Sequence, residues 1–244
     1  MSEDRKLDAE TDLEKHTYSS NPSEMYTMSS LEDRVYRIAL EMMEKHYVFN
    51  TKSLYSLCTR FIKDEDKSSI NNAISSLLSK KILIEGTTLS RMDLMENPNR
   101  RTIYSIIKSK PGINVGLLQN MVGLHTSTVL WHIQMLEKFQ FIRTEKILNK
   151  MVCFDYIHER KHDLMYVTLH KKRMVKIISI VHRYKEINMT DLQEQMELNR
   201  SSFMRKIGEL LNIKVLIRDA NNTGENSLEI NDEIFPHIKI FLEE

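Results

Sequence analysis

The stretch Gly112–Ile142, GINVGLLQNMVGLHTSTVLWHIQMLEKFQFI, constrains the fold of this chain more than any other. Val115, Leu118 and Met121 recur at helical spacing behind Asn114, an amide suited to capping a short helix that runs to about Val122. Gly123 permits a tight turn, Leu124 is the apolar residue that plugs it, and Thr126 is the expected cap of the next helix. In that helix, Thr126–Phe139, the residues Val129, Ile133 and Leu136 form an inward stripe. Ser127, Thr128, Leu130, Trp131 and Gln134 fall on the opposite face. Two helices joined this tightly read as a helix–turn–helix. Hydroxyl and amide groups near the N-terminus of the second helix suit contacts to phosphates and base edges. An ordinary helical hairpin is the competing reading.

The residues after this helix sharpen the choice. Phe141–Lys146 and Met151–Tyr156 have strand composition, and Leu148-Asn149-Lys150 sits between them as a turn. Three helices and a basic-tipped hairpin make a winged helix. The run TSTVLWHIQMLEKFQFI resembles the recognition helix and adjoining strand of archaeal and bacterial regulators of the ArsR and MarR type, over roughly Asn97–Tyr156. That resemblance implies that Val129, Ile133 and Leu136 pack inward while Ser127, Thr128, Trp131 and Gln134 face a duplex. Through LHTSTVLWHIQMLEKFQFI and its composition, the chain is also similar to the euryarchaeal archaellum (motility operon) transcription activator family. This second resemblance implies binding upstream of a promoter and no enzymatic activity.

The net charge of +1 conceals an uneven distribution. Residues 1–30 carry three Lys/Arg against seven Asp/Glu, and residues 31–96 carry ten of each. Residues 97–166 carry ten Lys/Arg against five Asp/Glu, whereas residues 167–244 carry twelve of each. The positive excess therefore falls on the segment with the clearest helix–turn–helix, as phosphate binding demands. A solvated charged face gives the same count without a ligand.

The flanks repeat the order of elements. Residues 1–28 are acidic and lack periodicity, so a disordered tail is expected. Leu31–Tyr47 (capped by Ser30), Thr51–Phe61 and Ser68–Lys80 read as three helices. Ile82-Leu83-Ile84 then reads as a strand and Gly86-Thr87-Thr88 as a turn. Downstream, helices are expected over Leu169–Lys185, from a Thr190 cap to Met196, and from Asn199 or Arg200 onward. Strands are expected at Lys214–Arg218 and Ser227–Ile230 around an Asn221-Asn222-Thr223-Gly224 turn, before a closing helix, Asp232–Leu242.

Other chemistries find no support. There is no GxGxxG, GxxxxGK[ST], GxSxG or HExxH motif, and the acidic residues show no inward pairing suited to acid–base catalysis. Cys58 and Cys153 are far apart, with no zinc-type spacing, so reduced thiols and no metal are expected. His158 and His162 have ligand-like spacing but read as a solvated basic connector. The methionines continue apolar stripes and read as core. No run reaches a membrane span, and MSEDRKLDAE is not a signal peptide.

The expected fold is mainly helical (α+β), with three tandem winged helix-turn-helix modules, each of three helices and a small β-hairpin wing. The expected boundaries are an acidic tail at 1–28, an N-terminal winged helix at 29–96, a central DNA-binding one at 97–166 and a C-terminal one with its closing helix at 167–244. The expected activity is that of a cytoplasmic, sequence-specific transcription regulator bound to double-stranded promoter DNA, with no catalytic residue, cofactor or metal. Thr126, Ser127, Thr128, Trp131 and Gln134 are assigned to bases or phosphates. Arg143, Lys146 and Lys150 are assigned to the backbone through the wing, and Arg100 and Arg101 to a phosphate from the first helix. A homodimer through an outer module is expected, with the stripe of Asp232–Leu242 or the helix Leu31–Tyr47 as its seam. The basal transcription machinery is a candidate further partner. The competing class is a winged-helix protein-interaction scaffold, which salt-dependent binding to duplex DNA distinguishes.

Overall fold

The computed structural model describes residues 27–45, 47–185, 187–218 and 227–242. The expected disordered tail falls almost wholly outside these, as does the expected turn at 221–224. The chain divides into two compact units, residues 1–96 and 97–244.

The first unit is built on α1 (Ser30–Glu44), α2 (Thr51–Phe61) and α3 (Lys67–Ser79). A capping box opens α1, with the Ser29 hydroxyl accepting from the Glu32 N–H at 3.2 Å and the Glu32 carboxylate accepting from the Ser29 N–H at 2.7 Å. The cap is thus one residue earlier than Ser30. Val35, Ala39, Leu54, Ile70, Ile74 and Leu77 meet in the core.

The strand expected at 82–84 does not form. The N–H groups of Ile82 and Leu83 both donate to the Leu77 carbonyl, closing α3, and the Ile82 carbonyl accepts from the Arg91 N–H. Those backbone groups cannot also serve a ladder. Phe49 instead meets the returning chain, donating to Thr87 O at 2.8 Å and accepting from Gly86 N at 3.0 Å. The wing of this unit is reduced to that single link among its described residues.

The second unit holds two copies of one plan. In the first copy α4 (Pro98–Ser109), β1 (Ile113–Asn114), α5 (Val115–Val122) and α6 (Thr126–Lys138) precede the hairpin β2 (Ile142–Ile147) and β3 (Lys150–Asp155). A short helix, α7 (Asp163–Leu169), leads to the second copy. This comprises α8 (Lys172–Tyr184), β4 (Ile187–Asn188), α9 (Met189–Met196), α10 (Arg200–Asn212), β5 (Leu216–Arg218), β6 (Ser227–Ile230) and the closing α11 (Phe235–Leu242). Both sheets are antiparallel and place the short first strand beside the last, in the orders β1-β3-β2 and β4-β6-β5. From Ile113/Ile187 to Ile142/Leu216 the copies run in step, 74 residues apart without insertion.

The same local devices recur in each copy. Asn114 and Asn188 cap α5 and α9 with their side-chain oxygens, so the cap of α9 is Asn188 and not the expected Thr190. Phe141 and Val215 return their N–H groups to Leu136 and Leu210, closing α6 and α10 through left-handed Gln140 and Lys214.

The two copies share a core. Val152 and Phe154 of β3 pack in one cluster with Met165, Tyr166 and Leu169 of α7, and with Met174, Ile177, Ile178 and Val181 of α8. Gly112, at φ +77°, passes so close to α7 that a Cβ would lie 3.1 Å from both Tyr166 Cβ and Val167 N. Ile238 and Phe241 of α11 are buried in the same cluster. The apolar stripe expected as a free dimer seam is therefore covered by its own unit. His158, expected in a solvated connector, stacks on Phe154 at 5.6 Å and meets Tyr166 edge-on at 4.7 Å. Cys58 and Cys153 are free and buried, and burial pushes their thiols up to about 11 and about 12.

Candidate nucleic-acid interface

The turn between α5 and α6 is built as a helix–turn–helix requires. Asn114 Oδ1 accepts from the Leu117 N–H at 3.0 Å, and α5 ends at Gly123 with φ +67°, where a Cβ would be strained. The cap of α6 is His125, not Thr126. Its Nδ1 accepts from the Ser127 N–H and shares a 2.8 Å hydrogen bond with the Ser127 hydroxyl. Thr126 is the first residue of α6, and its hydroxyl donates to Gln119 Oε1 at 2.8 Å, tying the two helices together across the turn.

The opposite faces of α6 are sharply different. Val129, Ile133 and Leu136 are fully buried, with His132 beside them. Ser127, Trp131 and Gln134 are exposed at spacings of four and three residues, so they share one stripe, which half-buried Thr128 flanks. Trp131 keeps 48% of its surface open, a large aromatic left in solvent on a helix otherwise packed down.

The underside of Trp131 rests on a buried cation. Arg100 is 4% exposed and its Cζ lies 5.4 Å from the indole centroid. Its Nε and Nη1 are buried without hydrogen-bond partners, and burial lowers its pKa. His132 meets the other edge of Trp131 at 4.9 Å. Burial first, and then the charge of Arg100, hold that imidazole below the ordinary histidine value. Arg100 is thus too enclosed for the direct phosphate contact expected of it. Arg101, one residue on, is exposed.

The wing divides the three cations assigned to it. Lys146 and Lys150 are exposed near its tip, where Leu148 and Asn149 both take positive φ (49° and 60°) in a two-residue turn. Arg143 lies at the base, 6% exposed, paired through both terminal nitrogens with Asp163 at 2.8 and 2.7 Å. It also donates to the His158 carbonyl and lies 4.4 Å over the Phe154 ring. A guanidinium so engaged is not offered to a phosphate, which corrects its assignment. Neither buried arginine was legible as such, because in each case the packing partner is distant in sequence.

Of the expected residues, the fold therefore leaves Arg101, Thr126, Ser127, Trp131, Gln134, Lys146 and Lys150 exposed, Thr128 half-buried, and Arg100 and Arg143 inside. No group of three or more His, Cys, Asp or Glu residues suited to a metal occurs among the described residues. No helix among them is long and apolar enough to cross a membrane.

A helix–turn–helix followed by a hairpin wing is the arrangement of a winged helix, and a winged helix-turn-helix DNA-binding family matches residues 96–143. The chain is similar to an uncharacterised HTH-type transcriptional regulator of Methanocaldococcus jannaschii, with 32% identity over 94 residues, covering 36% of this chain and 23% of the relative. The match thus spans about a quarter of the length of that relative.

Proposed function

We propose that the chain is a sequence-specific, DNA-binding transcription regulator that lays α6 in the major groove. Ser127, Thr128, Trp131 and Gln134 would meet bases and sugar–phosphate edges. Arg101, Thr126, Lys146 and Lys150 would hold the flanking backbone. The observation that carries this reading is the stripe Ser127–Trp131–Gln134, solvent-exposed on a helix whose other face is locked into a matched winged helix-turn-helix core. The reading involves no catalytic chemistry. The finer reading, that the target is an archaellum operon bound upstream of its promoter and activated, rests on the resemblance carried by LHTSTVLWHIQMLEKFQFI. Under it, the basal transcription machinery is the natural further partner.

Selection of bound fragments from the host genome, then titration of those fragments, tests both levels. Gln134→Ala should narrow the gap between selected and random duplex by about 1–3 kcal/mol. Lys146→Ala with Lys150→Ala should weaken both duplexes alike and flatten the salt slope by about 0.9 per lost contact. Equal losses on both duplexes for Gln134→Ala would reduce that residue to anchoring. Selected fragments lacking motility promoters would remove the archaellum reading alone.

Three tandem modules and assembly through the first are part of the proposal. The first unit repeats the three-helix plan, and its α3 presents Ser68, Asn71, Asn72 and Ser75 to solvent. Tyr47, Val48 and Phe61 are exposed there, and a groove lined by Met42, Tyr47, Val48, Ser53, Ser56 and Leu57 lies between α1 and α2. That groove favours a protein contact, either the second copy of a homodimer or the partner required by the scaffold reading. Light scattering at micromolar concentration should give twice the 28.8 kDa of one chain, and Tyr47→Ser with Val48→Ser should return it to one; a single-chain mass for the unaltered protein would exclude the homodimer.

A further inference from the structure

Residues 167–244 carry twelve cations and twelve acids, and seven of the described cations fall on two stretches of the chain. Lys171, Lys172, Arg173 and Lys176 cluster at the start of α8, and Arg200, Arg205 and Lys206 lie on α10. On these two stretches Glu209 is the only carboxylate, bonded to both Lys171 at 3.0 Å and Arg205 at 2.9 Å. The described acids of the module lie elsewhere, with Asp191 and Glu194 on α9, Glu197 at its end, Glu229 on β6, and Asp232 and Glu233 before α11.

Lys206 lies among these cations. It is only 8% exposed and makes no ion pair among the described residues. Burial lowers its pKa first and the charge of Arg205 next, with Glu209 acting in the opposite sense and Arg173 and Lys171 adding to the lowering. Like charges gathered on adjoining helices repel, and an arrangement of this kind is sustained at a cost unless an anion meets it.

The repeat shows where this edge lies in the fold. In step with α6, the positions Thr126, Ser127, Trp131 and His132 are taken in α10 by Arg200, Ser201, Arg205 and Lys206. The exposure pattern is kept as well. Arg200, Ser201 and Arg205 are open to solvent, while Phe203, Ile207 and Leu210 are buried, as Val129, Ile133 and Leu136 are in α6.

We infer that α10, with the start of α8, is a second duplex-DNA-binding surface that holds backbone phosphates through Arg173, Arg200 and Arg205. Its chemistry differs from that of α6. Guanidinium groups stand where α6 has a hydroxyl and an indole, and Gly208 stands where α6 has Gln134, so this surface anchors more than it reads. The inference shares with the proposed reading of α6 only the placement of such helices against a groove, and its test separates the two.

The full-length chain is titrated with a random-sequence duplex of about 40 bp, roughly four helical turns, over a range of salt concentrations. Arg200→Gln with Arg205→Gln should lower the slope of log affinity against log salt by about 1.8, which is 0.9 for each lost contact. Arg173→Gln added to this pair should lower it by about 0.9 more. All three side chains are exposed, so the variants should keep the circular dichroism of the parent protein. Arg183→Gln with Lys185→Gln removes the same charge from the far end of α8, about 15 Å along the helix from Arg173, and should leave the slope unchanged.

An equal drop for that control pair would mean that net charge, not a site, is responsible, and would overturn the proposal. An unchanged slope for Arg200→Gln/Arg205→Gln, with a reduced one for Lys146→Ala/Lys150→Ala, would overturn it while leaving the central reading intact. A reduced slope for the α10 pair alone would support α10 and overturn the wing contacts of the central module. Absence of duplex binding by the unaltered chain would overturn both.

Discussion

Arg143 shows how a single buried side chain changes what a wing can do. Its guanidinium is spent on Asp163, at the first turn of α7, where a carboxylate is also favoured by the helix N-terminus. The pair joins the base of β2 to the element that carries the chain into its last third. Replacing Arg143 with Met leaves Asp163 enclosed without a counter-ion, an error that typically costs about 3–5 kcal/mol. Urea unfolding, monitored by the fluorescence of Trp131, should show that loss, and Arg143→Met/Asp163→Leu should recover most of it. A phosphate-contacting arginine would behave in the opposite way, with unchanged stability and a salt slope lower by about 0.9. In the sequence Arg143 looks the same as Lys146. Only the position of Asp163, twenty residues later, tells them apart.

At the level of elements, long periodic stretches were legible and their ends were not. The bounds of α5 come directly from apolar spacing behind Asn114, and α2 occupies the expected Thr51–Phe61. Ser30, Thr126 and Thr190 all have capping chemistry, yet Ser29, His125 and Asn188 do the capping. The choice depends on which residue leaves the helical φ and ψ first, and neighbours of similar chemistry compete for it. One faint signal does mark the start of α2, α5 and α9. Phe49-Asn50, Ile113-Asn114 and Ile187-Asn188 each place an apolar residue before a capping Asn. A two-residue motif is too short to stand out until the helices behind it are aligned. The strand expected at 82–84 failed for the opposite reason. Its apolar composition is real, but the carbonyl of Leu77 claims its N–H groups first. The polar stripe of α6 was legible because it needs only helical periodicity. The buried state of Arg100 was not, because it depends on how α4 meets Trp131.

Across the whole molecule, the two units carry different acid sensitivities. In the second, burial holds His132, His158, His162 and His170 below the ordinary histidine value of 6.5, and in His170 it does so despite the bond to the Pro111 carbonyl. The fold thus favours their neutral forms. That contribution is complete above pH 6.5 and is lost as the pH falls below it toward the depressed values. In the first unit the sensitive group is Glu32. Burial alone would raise its pKa, but hydrogen bonds from Lys80, Ser76 and the Ser29 N–H outweigh this and hold it at about 2. Its contribution persists above pH 4.5 and is lost from there down to about 2. Thermal melts at pH 7 and pH 5, monitored by the single tryptophan, should show the second unit melting earlier at pH 5. The fall should be about 2–4 °C for each kcal/mol lost. A melting temperature that is flat over this interval would show that these imidazoles gain protons in the folded state as readily as in the unfolded one.

The shared core of the second unit has a consequence for the spacing of the DNA. Two DNA contacts on a loose tether can be made at many separations, and they give up tether entropy each time both engage. Here β3, α7 and α8 are packed into one cluster, and Gly112 passes against α7 so closely that a methyl group would press on Tyr166 and the Val167 backbone at 3.1 Å. Both α6 and α10 belong to the one compact unit 97–244. With both helices on one duplex, the distance between their contacts is set by the protein, as with a fixed caliper, and any mismatch must be absorbed by twisting or bending the DNA.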